Sequence, residues 1–270
     1  VDEVDGVGGV DGVDRYAAAA TGWATGASRV YGPLAAALVA AAPHPLEGRR
    51  VLDAGAGTGL ASAALRAVGA HPVALDRSPA MLGWDAAARP PAVAGALEAV
   101  PLRDGCVDDT VAAFVLNHVD DPTAALRELA RVTRPGGAVL ASLPAATSSH
   151  RAVRNRIDAV VVDAGWVPPD WHAHLTTVQA PQLGDVAAAG RAARDAGLHV
   201  LAVTEHVADV GVERAEDLVD YRLGQAHVAA WLEGMSDAER AALRAAAVDA
   251  VRPVMAPYRP PVITLVARVP

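Results

Sequence analysis

The chain has one cysteine, Cys106, one phenylalanine and no lysine: its 23 cationic side chains are all arginine. A lone cysteine closes no intrachain disulfide and builds no thiolate metal site, which fits a reducing compartment such as the cytoplasm. No binding chemistry demands arginine in place of lysine, so we read the bias as codon usage of a GC-rich genome. Basic charge is also scarce. A formal charge of -8 and a pI near 5.5 come without a basic stripe, which argues against a grip on nucleic acid. The richest basic stretch, Arg151 to Arg156, spaces three arginines with other residues and reads as a solvated helix face. Long apolar runs are missing too: no stretch of about 18 such residues occurs, and no basic segment followed by an apolar run opens the chain. The expectation is a cytoplasmic globular protein with a small-molecule partner and no membrane; a homodimer stays open.

What the sequence does hold is apolar bulk, 52% of 270 residues, much of it Ala and Val. That suffices for one large α/β domain with a modest appended lid. Residues 1–14, VDEVDGVGGVDGVD, form a low-complexity tail expected to fray. Arg15 to Ala42 reads as helix and carries Trp23 and Tyr31; Pro43 and Pro45 end it. Short apolar runs then alternate with helical segments: strands at VLDA, VALD, AVAGAL (92–97), DTVAAFVLNHV (109–119) and GGAVLASLP (136–144). The intervening helices include SPAMLGWDAAAR and PTAALRELARVT, with Leu126, Leu129 and Val132 on one face. This rhythm predicts βαβ units, a parallel sheet and helices on both faces.

After Pro144 the pattern turns helical. Val153, Ile157, Val160 and Val161 share a face, with Ser149 as an N-cap. LGDVAAAGRAARDAGL is a second helix, stopped by Gly197. HVLAVTEHV (199–207) and PVITLVARV (261–269) read as strands flanking further helices, one opened by a capping box from Ser236 to Glu239. The domain reading is a tail (1–14), a core with an N-terminal lid helix (15–144), a helical substrate cap (145–197), and the rest of the sheet with inserted helices (198–270).

The chemistry concentrates at VLDAGAGTG, Val51 to Gly59. An apolar strand runs into Asp53, then glycines at 55, 57 and 59 lead into a helix. Such glycines allow a tight turn and close approach of a ligand. A dinucleotide fingerprint needs G-x-G-x-x-G, but Leu60 stands where its third glycine belongs, which argues against NAD. Asp76 ends the second strand about twenty residues after the first glycine, where a carboxylate accepts the hydroxyls of a ribose.

VLDAGAGTG, VALDRSPAML, ALEAVPLRDG and VLNHVDDPTAALRELARVTRPGGAVLAS together resemble the class I S-adenosylmethionine-dependent methyltransferases, over roughly residues 50–144. The resemblance implies a Rossmann-like, seven-stranded, mostly parallel sheet with an antiparallel last strand, helices on both faces and a helical cap. It implies S-adenosyl-L-methionine as cofactor and an enzyme that methylates a small molecule, a secondary metabolite, at carbon or oxygen. Gly55, Ala56 and Gly57 would line the methionine and ribose part, beside Arg77. Asp53 would lie beneath the methionine amino group, and Asp76 would hold the ribose. Met81 would pack on the adenine, Leu97 and Glu98 near its edge, and Asn117 at the methionine end. Trp23 and Tyr31 would cover the cofactor. One departure is visible: the family commonly places Asp, then an apolar residue, where this chain has Ala96 and Leu97, so the usual adenine contact is missing.

Methyl transfer from a sulfonium needs orientation and dryness first, and a base only for a nucleophile that keeps its proton. The candidate bases are His118, after the fourth strand, and His172 and His174 in the cap's WHAH. No metal is expected, since HxH with one Asp is a weak ligand set. DYRLGQAH places Tyr221, Gln225 and His227 in a stretch that lies over the substrate pocket in similar sequences. The cap's Trp, Val, Leu and His content suggests a mainly apolar pocket with a few polar anchors. Two other readings share the fold: a cyclase or pericyclase of natural-product biosynthesis that transfers no methyl, and a non-catalytic partner protein.

Overall fold

The computed structural model describes residue 14, residues 16–146 and residues 151–270. Seven strands form one sheet: β1 (Arg50–Ala54), β2 (His71–Asp76), β3 (Ala92–Ala94), β4 (Asp109–Ala113), β5 (Ala138–Pro144), β6 (His199–Val207) and β7 (Pro261–Arg268). Their order is β3-β2-β1-β4-β5-β7-β6. The first five are parallel; β7 runs antiparallel to both β5 and β6. Val51, Leu52, Asp53 and Ala54 are all fully buried, as a strand covered on both faces requires. The order reverses between β1 and β4, the crevice where open α/β sheets bind ligands.

Helices cover the sheet for reasons legible in their termini. The helix α3 (Leu60–Ala67) follows the glycine turn, and α4 (Pro79–Gly83) is capped by the Ser78 hydroxyl, which accepts the Met81 amide. Asp121 caps α5 (Pro122–Val132), whose Ala125, Leu126, Leu129 and Val132 are buried. Asp185 caps α8 (Val186–Asp195), and Gly197 closes that segment at φ +85°. The capping box from Ser236 to Glu239 opens α11 (Asp237–Val251), as its spacing requires.

A second core lies beyond the sheet edge. It is built from the N-terminal helix, α6 (Arg151–Asp163), α9 (Ala215–Leu223), α10 (Ala226–Leu232) and α11. The N-terminal helix runs from Ala17 through α1 (Ala20–Gly22), a π-helical turn at Trp23–Ala27, and α2 (Ser28–Ala40). Three separate stretches thus build this second core, the N-terminal helix, α6 and the run from α9 to α11. Within residues 145–197, α6, α7 (Asp170–His174) and the turns to Leu183 lie on the cap side. α8 instead buries Ala189, Ala192 and Ala193 in the central core with α5 and β7. The proposed cap Ser149 and tail residues 1–13 lie outside the described residues. Asp14 is described: its carboxylate accepts the Ser78 hydroxyl at 2.6 Å and the Tyr16 amide at 3.0 Å.

Three elements are shorter than their sequence patterns suggest. β3 ends at Ala94, and Gly95 to Glu98 turn away. β4 ends at Ala113, because Phe114 takes φ +53° and Leu116–His118 curl into a 3₁₀ turn. α4 stops at Gly83, with Asp85 at φ +46°. No helix of the described residues is long and apolar enough to cross a membrane.

The lid helix is held by bare backbone. A Cβ on Gly26 would stand 2.2 Å from the Asp220 carbonyl oxygen, and one on Gly224 would stand 2.3 Å from that of Gly22. Gly32, also in this helix, faces open space. Gly26→Ala should therefore lower stability by about 2 kcal/mol through overpacking. Gly32→Ala should raise it by roughly 0.5–1 kcal/mol. Urea midpoints of the two variants against the parent check both signs.

Candidate functional site

A cavity sits on the carboxyl ends of β1, β2, β3 and β4. Its walls are Asp53, Gly55, Ala56 and Gly57 after β1, then Asp76, Arg77 and Met81 after β2. Gly95 to Glu98 follow β3, Ala113 to Val115 and His118 follow β4, and Tyr16, Trp23 and Tyr31 come from the lid helix.

The glycine turn is folded onto its neighbour strand. The Gly55 and Ala56 amides both donate to the Leu75 carbonyl, at 2.8 and 2.9 Å, and the Gly57 amide donates to Asp76 Oδ2 at 2.7 Å. Amides spent inside the protein cannot cradle a pyrophosphate, which agrees with the absent third glycine. Gly55, Gly57 and Gly59 take φ of +71°, +52° and +97°. A Cβ on Gly55 would meet the Val115 side chain at 2.3 Å, so glycine there lets the β4 turn cross the loop.

Besides Glu98 at the rim, two carboxylates line this cavity. Asp53 is fully buried; its Oδ2 accepts the Ser62 hydroxyl at 2.6 Å, whereas Oδ1 has no protein partner. Burial, with the Asp76 charge nearby, holds its carboxyl up to about 6. Asp76 Oδ1 accepts the Ser78 amide at 2.9 Å, and burial raises its carboxyl as well. A buried acid with a free oxygen fits an ammonium, and a second acid at a strand end fits neighbouring hydroxyls. Behind the loop, Arg89 donates to the carbonyls of Gly57 (3.0 Å), Met81 (2.8 Å) and Trp84 (3.0 Å).

A second cavity of about 380 Å³ shares Tyr16, Trp23, Tyr31, Phe114 and His118 with the first. It continues between the cap helices to Asp158, His172, Tyr221, Arg222, Gln225, His227 and Tyr258. Arg222 is paired with Asp158 at 2.7 and 3.0 Å. His172 and His227 stack with ring centroids 3.9 Å apart. At the junction, Tyr16 Oη and His118 Nδ1 are 2.7 Å apart.

Eleven of the expected cofactor-side residues line the first cavity: Trp23, Tyr31, Asp53, Gly55, Ala56, Gly57, Asp76, Arg77, Met81, Leu97 and Glu98. Glu98 is exposed at the rim, and Ala96 supplies no carboxylate. Asn117 does not join them; it is buried and lines the second cavity. Of the expected bases, His118 stands between the cavities and His172 lies in the second. His174 lines neither: its Nε2 pairs with Asp120 at 2.9 Å on the exterior. The second cavity is also more polar than the cap composition suggests, because α6 and α9 turn charged side chains into it. Tyr16, Phe114 and Arg89 escaped the sequence reading. Arg89 ends an alanine stretch with no local signal, and Phe114 looks like ordinary strand until its positive φ is seen.

With this geometry in place, residues 52–141 match the methyltransferase domain model. A demethylmenaquinone methyltransferase of Mycolicibacterium paratuberculosis is 48% identical over 90 residues, 33% of this chain and 39% of that protein. Residues 52–141 are thus similar to the methyltransferase domain of class I S-adenosylmethionine-dependent enzymes. The chain spans about two-fifths of the curated relatives it matches. Two solved structures share the fold. One is a chain from the complex of the Haloferax volcanii Trm112 methyltransferase activator with its methyltransferase partner, with TM-score 0.59 and 23% identity over 94% of this chain and 96% of that one. The other is the [4+2]-cyclase SpnF, with TM-score 0.54 and 20% identity over 90% and 82%. Methyltransferase and cyclase thus occur on one fold, which leaves the reaction to the site.

The buried Asp53 generates a stability prediction. Its folded-state value lies above that of an unfolded carboxylate, so protonation favours the fold. That stability is present at low pH and lost as pH rises through about 6. Without added ligand, Asp53→Asn should exceed the parent by about 3 kcal/mol at pH 8, with the gap closing below pH 4. Urea unfolding across this pH range reads the difference; equal stability at pH 8 would contradict it.

Proposed function

We propose that the protein transfers a methyl group from S-adenosylmethionine to a small molecule, a secondary metabolite, at oxygen or carbon. The observation that carries this reading is the pair of carboxylates, buried Asp53 with a free oxygen and half-buried Asp76, in one cavity that shares a wall with a second. Asp53 Oδ1 would take the methionine ammonium, and Asp76 the ribose hydroxyls. Gly55, Ala56, Gly57 and Arg77 would line the same part. Met81 would pack on the adenine, with Leu97 and Glu98 at its edge and Trp23 and Tyr31 as cover. Lacking a carboxylate at Ala96, the adenine site has lost a contact of about 1.5–3 kcal/mol. Bound there, S-adenosylmethionine supplies an activated methyl on a sulfonium.

The protein's own part is orientation, exclusion of water and removal of one proton. An acceptor hydroxyl must lose its proton as its oxygen takes the methyl. Tyr16 Oη lines both cavities and lies 2.7 Å from His118 Nδ1, so it offers a relay: the phenol oxygen accepts, and His118 Nδ1 receives. His174, tied to Asp120 on the exterior, has no part in it. The relatives' acceptor does not carry over by this match, because the family model ends at residue 141 and much of the second cavity lies beyond it.

Calorimetric titration with S-adenosylmethionine tests the cofactor half. The parent should bind in the micromolar range, and Asp76→Ala at least tenfold more weakly, a loss of about 1.4 kcal/mol or more. Absence of binding by the parent, with or without acceptor, defeats the reading. Tyr16→Phe should leave cofactor affinity unchanged within about twofold, lower kcat on the order of a hundredfold and move its pH profile. A product heavier by one CH₂ separates methyl transfer from cyclisation, which leaves mass unchanged.

A further inference from the structure

The second cavity describes its own ligand. The chain is poor in aromatics, 4% of residues, yet all four tyrosines and its one phenylalanine line this cavity, with Trp23 and Trp171 beside them. Such a concentration in a chain otherwise packed with Ala, Val and Leu offers flat, polarisable surface in one place.

Its polar groups fall into two kinds. The charged pair is satisfied within the protein: Arg222 spends its guanidinium on Asp158 and on the Gln225 side-chain oxygen. The tyrosine hydroxyls are likewise linked, Tyr258 to Tyr221 and Tyr221 to Tyr31, with Gln225 at the Tyr31 end. Two neutral side chains are different. Asn117 and His227 are 7% and 8% exposed, and Asn117 Oδ1 and His227 Nε2 have no protein partner although both residues line the cavity. A buried polar atom left unmatched costs about 1–3 kcal/mol, which a ligand bearing the complementary group recovers.

His227 is also held in place. Its ring stacks on His172, and the Trp166 indole donates to its backbone carbonyl at 2.9 Å. Burial, with Arg222 and His172 nearby, keeps it neutral, so its free nitrogen serves as a hydrogen-bonding atom and not as a charge. A carboxylate or phosphate would find no free buried cation there, since Arg222 is spent on Asp158 and Gln225, and Arg154, half-buried in the same wall, is not free either; an aliphatic chain would leave both polar atoms unmatched.

We infer that this cavity is the acceptor site for an uncharged, hydroxylated planar aromatic molecule, whose ring lies among the tyrosines, with a hydroxyl donating to Asn117 Oδ1 and a second hydroxyl or a carbonyl meeting His227 Nε2. The inference rests on the methyltransferase reading for the word acceptor, but binding itself does not.

The test is a calorimetric titration without S-adenosylmethionine, repeated with saturating S-adenosylhomocysteine, using 1-naphthol, naphthalene and decanoate as probes. 1-Naphthol should bind in at least one of the two conditions, more tightly than naphthalene or decanoate by about tenfold or more. His227→Leu should weaken 1-naphthol about tenfold, and His227→Gln, which keeps a polar tip, should restore most of that. Asn117→Leu, on a different element from His227, gives an independent reading, and thermal melts establish that each variant folds. No 1-naphthol binding in either condition, equal binding of naphthalene, preference for decanoate, or indifference to both substitutions overturns the inference. Failure of the cofactor reading shows separately, as loss of S-adenosylmethionine binding while 1-naphthol still binds.

Discussion

The hydrogen bond from the Gly57 amide to the Asp76 carboxylate joins the ends of the first two strands, and the first cavity depends on it. β1 and β2 run in register, Ala54 opposite Leu75, so the chain leaving β1 must turn at once. It does so by giving two consecutive amides to the Leu75 carbonyl and the next to Asp76. Three glycines at positive φ make that path open to the backbone, and Arg89 holds the opposite, carbonyl side of the loop. The result is a loop with its donors turned inward and its neighbouring carboxylates turned toward the cavity. A site of that polarity attracts ammonium and hydroxyl groups and repels phosphate, and the same hydrogen bonds that form it decide which cofactor suits it.

The second cavity depends on a different contact, the approach of the N-terminal helix to the end of α9 at Gly26 and Gly224. Nothing larger than hydrogen fits there, so two backbones meet and the side chains around them fill the space between. Trp23 and Tyr31 stack at 4.8 Å, Tyr31 meets Phe114 edge-on at 5.2 Å, and Tyr31 and Tyr221 lie 5.8 Å apart. The lid helix thus belongs to both cavities. A π-helical turn sits in it at Trp23–Ala27, a geometry often found where helices serve sites. Phe114, whose amide donates a hydrogen bond to the Ser142 carbonyl, completes the shared wall at φ +53° and a cost on the order of 1–3 kcal/mol.

The cofactor half was legible in the sequence because its signals are local. A strand, a glycine turn and an acid at the next strand end lie within 26 residues, and neighbouring parallel strands bring them together automatically. Caps were legible for the same reason, as Ser236 and Glu239 show. The second cavity was legible only in fragments. Gly26 and Gly224 look like weak helix positions, and no local pattern says that they touch across nearly two hundred residues. Neighbours in sequence also divide between environments. Asn117 and His118 follow each other in a 3₁₀ turn, so their side chains diverge: His118 reaches both cavities and Asn117 only the second. His172 and His174 are two positions apart on α7, so one enters the cavity and the other meets solvent, although HxH writes them alike.

The energetics of the unmatched groups tie the two halves together. Asp53 Oδ1 in the first cavity, and Asn117 Oδ1 and His227 Nε2 in the second, are buried without protein partners. At about 1–3 kcal/mol each, they amount to a substantial fraction of the stability of an ordinary domain. Apolar side chains of similar size would remove that cost, and alanine and valine are abundant elsewhere in this chain. These three line the two cavities, where an unmatched group trades stability for recognition. A ligand that matches such a group binds the folded chain and not the unfolded one, so it stabilises the fold in proportion to its occupancy. The free energy missing from the fold is therefore the free energy available for choosing a ligand.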